Sequence, residues 1–374
     1  MTGEPREGVP GSPPTDPTGS RGADPPGSPG ADSPRSPTGP PGPRPTDPPG
    51  PQPTDPPRSP RYGPPDASRA PRYTGIRTFA RCPHVRTTEG VDIAVVGVPF
   101  DTATSYRAGA RFGPEAIRAG SSLLRPWHTA LAVDVFASYS VVDWGDIAIT
   151  PGNAGRTMEQ VSAGLGELLE AGITPIVLGG DHSIALGELR AHAAAAGEPV
   201  ALVLLDAHAD TWDEYYGEHI FHGTPFRRAV EEGLLDASRS VLAGMRGPLY
   251  SAADVDQPRE MGFDVIPGDE LRSLSPADYG ARVRTRVGDG PVVLGFDIDV
   301  LDPAFAPGTG TPEVAGLLPH EALAFLRALA GMRFRGFDVV EVSPPYDGPG
   351  QGTAMLAANV AYEFLALAAL AGKR

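Results

Sequence analysis

Three short segments of the 374-residue chain concentrate residue types that bind metal ions. They are Gly179-Gly180-Asp181-His182-Ser183, Asp206-Ala207-His208-Ala209-Asp210, and Asp297-Ile298-Asp299 running on to Asp302-Pro303. Asp206, His208 and Asp210 recur at every second position, as do Asp297 and Asp299. Along an extended backbone each set therefore projects to one side. Carboxylates gathered in this way repel one another unless cations neutralise them. Oxygen and imidazole donors without a thiolate suit Mn²⁺ or another borderline divalent ion, with Co²⁺, Ni²⁺ and Fe²⁺ open on the same grounds. Up to six donors fit two ions that share bridging carboxylates better than one. Two ions about 3.5–4 Å apart can hold a bridging hydroxide near neutral pH. Each segment alone also has a plain structural reading. Gly-Gly-Asp-His-Ser could be a strand-to-helix turn capped by Asp181 or Ser183, Asp-Ala-His a polar surface, and Asp-x-Asp a solvated loop.

The elements that carry these segments decide between the readings. Short β-branched runs predict strands at 92–98, 140–144, 175–178, 201–206, 240–244, 263–266, 292–296 and 336–341. Helices are expected between them, at 114–121, 155–171, 184–196, 224–233, 276–287, 319–329 and 353–370. The alternation implies a three-layer α/β/α fold around a mostly parallel sheet of about eight strands. Such sheets bind ligands beyond the carboxyl ends of their strands. All three segments stand at strand ends, which favours a shared metal centre.

Composition bounds the remainder. Of the 44 prolines, 24 fall in the first 71 residues, where Pro-Thr-Asp-Pro occurs at 14, 45 and 53. Residues 1–72 are expected to form a disordered, partly polyproline-like tail, and 73–374 a single large domain. The formal net charge is −15, and the tail's acids and arginines cancel, so the excess belongs to the body. That balance argues against nucleic acid and is compatible with cationic ligands. The single cysteine, Cys82, excludes an internal disulfide framework. No basic stretch followed by an apolar run marks a secretory leader, and no apolar run approaches the roughly 20 residues that span a bilayer. A cytoplasmic protein that does not engage membranes is expected.

From about Val91 to Leu370 the chain resembles the ureohydrolases, the arginase and agmatinase family, on the three segments above and on Glu-Val-Ser-Pro-Pro-Tyr-Asp at 341–347. The resemblance implies the arginase-like fold and a binuclear manganese site that hydrolyses a guanidinium group to an amine and urea. Carried onto this sequence, His182 and Asp210 would be terminal ligands of one ion and His208 and Asp299 of the other. Asp206 and Asp297 would bridge both. Asp302 would brace the site and Asp181 would support or cap it. His222, in His-Gly-Thr-Pro-Phe, resembles the loop histidine that passes a proton to the leaving amine, with His219 a nearby competitor. Glu341 resembles the carboxylate that pairs with the substrate guanidinium, and a carboxylate suits that planar donor. Trimers or hexamers are implied by the same likeness.

The substrate is less sharply written. Thr211-Trp212 and Met245-Arg246 stand where arginases hold the α-amino and α-carboxylate groups, which argues against arginine. The segments 97–101, 106–114 and 222–228 are agmatinase-like. Agmatine, yielding putrescine and urea in polyamine metabolism, is the first expectation. Guanidino acids, as used by guanidinobutyrase, guanidinopropionase and proclavaminate amidinohydrolase, follow closely, with guanidine itself an alternative. Trp212, Tyr215 and Tyr216, or the loop Arg125-Pro126-Trp127-His128, would meet the substrate tail, and Arg107 or Arg111 would meet a carboxylate. Arg111 also fits a purely structural turn. A non-catalytic metal-binding relative would require a lost ligand or loop histidine, and neither loss is seen. A partner-recruiting role for the tail rests on composition alone.

Overall fold

Runs of Val, Ile, Leu and Ala form eight strands: β1 Ile93–Val98, β2 Val141–Asp146, β3 Thr174–Gly179, β4 Ala201–Leu205, β5 Val241–Met245, β6 Asp264–Pro267, β7 Val292–Asp297 and β8 Phe337–Val340. The structure, a computed structural model, describes residues 61–372. All eight strands pair in parallel in one sheet of order β2-β1-β3-β8-β7-β4-β5-β6. Every residue of β1, β4 and β7 is buried, as expected for strands covered on both faces.

The two faces pack against different helices. Ile93, Val95, Ile176 and Leu178 face α1 (Gly113–Gly120), α7 (Pro276–Val287), α8 (Pro319–Arg327) and α9 (Gly352–Ala371), where Ile117, Tyr279, Phe325 and Phe364 complete one core. Ala94, Val96 and Val177 face α2 (Ala154–Glu170), α3 (Ala185–Ala196) and α4 (Pro225–Glu231), with Met158, Leu165 and Phe226 in the other. Period-two alternation along each strand supplies both. This is the expected three-layer arrangement.

Two helices were absent from the sequence expectation. α5 (Ala253–Glu260) buries only Pro258, and α6 (Gly268–Ser273) is six residues long, so neither carries an apolar stripe that periodicity could register. A small antiparallel ribbon joins Trp127–His128 to Val133–Asp134.

Two further expectations meet detail here. Helix α9 is, by length and composition, long and apolar enough to cross a membrane, contrary to the expectation that no such run exists. It packs as a core helix: Ala361, Phe364, Leu365 and Leu367 are fully buried. Its Glu363 is turned inward, accepting from Arg327 and facing His128 Nε2 at 2.9 Å. Most of the expected tail, residues 1–60, lies outside the described residues. Residues 61–72, counted with it, are tied to the body. The Tyr62 N–H donates to Ser140 Oγ at 2.8 Å, and Arg81 donates to the carbonyls of Pro65 and Ala70.

The strand order matters most for the site. It makes β3, β8, β7 and β4 consecutive neighbours, so four loops far apart in sequence emerge side by side.

Candidate metal centre

The turn after β3 is shaped by close backbone packing. Gly180 lies so near the carbonyl of Phe100 that a Cβ would overlap it. Asp181 accepts from Ser183 N–H at 3.0 Å and from Ala103 N–H at 3.0 Å, which caps the turn and fixes the neighbouring loop. Asp181 thus supports the site from behind, as expected. His182 is left fully buried.

Its Nδ1 stands 3.1 Å from Asp206 Oδ2, 2.9 Å from Asp210 Oδ2 and 3.3 Å from Asp297 Oδ2. Beside this group, His208 Nδ1 is 3.0 Å from Asp299 Oδ2 and 3.6 Å from Asp206 Oδ1. Asp206 turns one oxygen toward each histidine, so two donor clusters share it: His182/Asp206/Asp210 and Asp206/His208/Asp299. Asp297 enters the first cluster by Oδ2, while its Oδ1 accepts the Asp299 N–H at 2.9 Å. All six ligand positions singled out in the sequence converge.

The donor set fits a pair of cations. His182 Nδ1 and Asp206 Oδ2 are buried with no hydrogen-bond partner, although they face each other. Electron-pair donors converge on a common point only where positive charge sits between them. The protonation tendencies agree. Burial, reinforced by Asp299 and Asp206, pushes the Asp297 carboxyl well above the usual range. Burial and Asp206 raise Asp210 to about 6. Against the effect of burial, contacts with three carboxylates raise His182 well above an ordinary imidazole, and Asp299 does the same for His208. In metal-free protein, protons must stand in for the missing positive charge.

Beside the donors sits a second constellation. Glu341 follows β8 in a left-handed conformation with φ 61°, and Asp210 has φ 50°. Strain of this kind at non-glycine residues persists only where surrounding contacts hold it. Glu341 Oε1 accepts the His182 N–H at 2.8 Å and lies 3.0 Å from His222 Nδ1. Its Oε2 is buried without a partner and lines the pocket. His222 Nε2 accepts the Ser105 N–H at 3.1 Å. His219 faces Asp213 instead, half exposed and away from this group.

A cavity of about 900 Å³ opens from the donors to solvent. Trp212, Tyr215 and Tyr216 line it, as the sequence suggested. The loop 125–128 does not: His128 is buried against Glu363 and stacked on Tyr362 at 5.2 Å. Arg111 pairs with buried Asp101 in the turn before α1, whereas Arg107 lines the pocket, together with Arg246 and Arg259. The Arg107 guanidinium sits over Tyr106 and Tyr346 at 5.3 and 5.1 Å. No described carboxylate pairs with it.

Sequence reasoning missed two contributors, Tyr250 and Ser105, and gave Arg246 only as a departure from arginases. Arg246 donates to the carbonyls of Asp299, Glu313 and Val314 at 2.7, 2.8 and 3.0 Å, bracing the loop after β7. Tyr250 meets Tyr215 hydroxyl to hydroxyl at 2.8 Å. Ser105 closes one side of His222. No pattern in the chain marks the last two.

Residues 91–367 match the model of the arginase family. A guanidinobutyrase of Pseudomonas aeruginosa is 47% identical over 298 residues, covering 79% of this chain and 93% of that protein. The mitochondrial agmatinase of Gallus gallus is 46% identical over 294 residues, covering 79% and 86%. The solved structure of proclavaminate amidinohydrolase from Streptomyces clavuligerus superposes with a TM-score of 0.77 at 42% identity, covering 81% of this chain and all of that one.

Proposed function

The chain belongs to the arginase family and is a hydrolase of guanidino C–N bonds, and on that premise we propose that its substrate is an ω-guanidino carboxylic acid of the 4-guanidinobutyrate kind. The observation that carries this reading is Arg107. A guanidinium in the pocket, held by two tyrosine faces and without a carboxylate partner among the described residues, offers a carboxylate-binding fork. The sequence alone put agmatine first; Arg107, on the loop that also carries Ser105 beside His222, moves the preference to the acids. Agmatine keeps one supporting observation. The wall of Trp212 stacked on Tyr215 at 5.2 Å would accept an alkyl chain or terminal ammonium.

The residues divide the work by charge. Arg107 would receive the substrate carboxylate, and Glu341 Oε2 would receive the guanidinium N–H groups. The substrate carbon is thereby presented to the donor clusters. His182, Asp206 and Asp210, with Asp297, would hold one ion, and Asp206, His208 and Asp299 the other; Mn²⁺ is our proposal, with Ni²⁺ and Co²⁺ alternatives on the same donors. Bound there, the metal pair would supply Lewis acidity toward the water nucleophile. Addition of water and rupture of one C–N bond give urea and a primary amine, and the departing nitrogen must gain a proton. His222, beside Glu341, would deliver it. A homo-oligomer, trimer or hexamer, in the cytoplasm completes the proposal.

Urea release from the full-length protein loaded with Mn²⁺, and separately Ni²⁺, tests it. The panel is 4-guanidinobutyrate, 3-guanidinopropionate, agmatine, arginine and guanidine. We expect a guanidino acid to have the highest kcat/KM. Dominant turnover of agmatine with inert acids would overturn the carboxylate reading and leave the hydrolase.

A further inference from the structure

Both ring nitrogens of His222 are engaged, and the kind of partner at each one matters. At Nδ1 the partner is Glu341 Oε1, 3.0 Å away, a carboxylate oxygen that can only accept. At Nε2 two groups of Ser105 meet: its backbone N–H at 3.1 Å and its Oγ at 2.8 Å. A backbone N–H can only donate. Together these contacts select one neutral tautomer, with the proton on Nδ1 and a lone pair on Nε2. In that state the imidazole cannot give a proton to anything in the pocket. Its only hydrogen is held by Glu341, and Nε2 carries none.

The surroundings pull the other way. Glu341 from the end of β8, Asp210 from the loop after β4 and Asp181 from the turn after β3 all favour the imidazolium and, against burial, raise its proton affinity. Phe221 packs edge-on against the ring, and Arg107 lies two residues beyond Ser105 on the remaining loop. A proton added to His222 must go to Nε2, where it confronts the Ser105 N–H. The Ser105 hydroxyl resolves that conflict, because a hydroxyl can donate to a lone pair or accept from an N–H. Ser105 and His222 both line the cavity.

We propose that Ser105 is a positioning residue for His222: its N–H fixes the resting Nδ1–H tautomer, and its Oγ accepts the Nε2–H once the ring is charged. The proton then sits on the nitrogen that is free of Glu341. The inference deepens the hydrolase reading and rests on it only for the use to which that proton is put.

The test follows acylation of His222 by diethylpyrocarbonate, which attacks the unprotonated imidazole. Peptide mass spectrometry measures it against pH on full-length, metal-loaded protein, with half-exposed His219 as internal reference. In Ser105→Ala the imidazolium loses its acceptor while the opposing N–H remains. The labelling midpoint of His222 should fall by about half a unit or more, roughly a threefold loss of proton affinity. The alkaline limb of kcat should move to lower pH with it, and KM should change by less than about twofold. Ser105→Thr, which keeps the hydroxyl, should restore both. An unmoved midpoint in Ser105→Ala, a failure of Ser105→Thr to restore it, or a change confined to KM would overturn the assignment. If no guanidino compound yields urea, the labelling midpoints still decide Ser105, and only the hydrolase reading falls.

Discussion

The floor of the pocket and its rim are built in opposite ways. The floor is assembled at the tips of four adjacent strands, β3, β8, β7 and β4. His182, Asp206, Asp297, Asp299 and Glu341 are buried, and most of the floor's polar atoms answer to two or more fixed neighbours. Asp206 faces both histidines, and Glu341 accepts from His182 N–H while facing His222. The rim comes from loops, and its residues lean chiefly on one another. Tyr215 stacks on Trp212 and meets Tyr250 by a single hydroxyl contact. Tyr216 and Tyr250 are 78% and 77% exposed. A floor set by sheet register resists change, whereas a rim set by loop contacts can change without disturbing it. That division would give the family's chemistry to the floor and the choice among guanidino compounds to the rim.

The comparison breaks most visibly at Asp206. Its two oxygens serve both donor clusters, so Asp206→Asn should lower kcat/KM by about a thousandfold or more, about 4 kcal/mol of barrier. Metal content, read by mass spectrometry, should fall at both positions. Loss of one ion with retained turnover would show that the clusters act independently.

How much of this was legible in the chain follows the same division. The floor was readable because chemistry and geometry both leave sequence marks: alternate-residue spacing in 206–210, and strands written as near-unbroken apolar runs. All eight strands and all six donor positions stand close to where those marks put them. The family resemblance implied Asp206 and Asp297 as bridges, and each has one oxygen that accepts a backbone N–H two residues on, His208 at 2.6 Å and Asp299 at 2.9 Å; local hydrogen bonds of that kind have no sequence signal. The rim was half readable. Trp212, Tyr215 and Tyr216 follow the second donor segment directly, so proximity in sequence sufficed. Tyr250 and Ser105 reach the pocket on loops remote in sequence, and the loop 125–128, the alternative wall that the sequence offered, lies outside the lining. Those residues instead form an edge ribbon whose histidine is consumed by Glu363.

Arg107 sharpens the comparison at the rim. If it receives the substrate carboxylate, Arg107→Ala should reduce kcat/KM for 4-guanidinobutyrate by about 10- to 100-fold, the worth of a hydrogen bond to a charged group. Turnover of agmatine, which has no carboxylate, should change little, and metal content should be unaltered. Equal losses on both substrates would make Arg107 part of the floor's scaffolding.

Removal of metal separates the regions by stability. Asp181, pushed up to about 7 by burial and Glu341, and Asp210 and Asp338, raised to about 6 chiefly by burial, start from an ordinary value of 3.8. A carboxyl with a raised folded-state pKa contributes stability that is complete below its unfolded pKa and lost as pH rises through the folded one. Metal-free protein should therefore lose stability between about pH 4 and 7, with Tm falling by about 5 °C. Ions saturating the donors should add an increment that grows over the same window, by ligand linkage. A metal increment independent of pH would contradict the account of why these carboxylates tolerate one another.

The finest test lies at Trp212, two residues beyond Asp210. Its ring stacks on Tyr215 with an interplanar angle of 6° and stands 5.5 Å from Tyr250. Its backbone N–H donates to Gly223, the residue after His222. Floor and rim meet here, so a change in the ring alone asks whether they are separable. Trp212→Phe keeps an aromatic face while shortening the wall. Aromatic contacts are worth about 0.5–1.5 kcal/mol beyond their area, so KM should shift by roughly two- to tenfold. The shift should differ between 3-guanidinopropionate and 4-guanidinobutyrate, because a shorter wall serves their chain lengths unequally. Metal content and kcat should stay put, since Asp210 is held by His182 and by its own backbone conformation. A parallel fall in kcat and bound metal on every substrate would mean that the wall holds the loop that positions Asp210, and the rim would then be part of the floor's support.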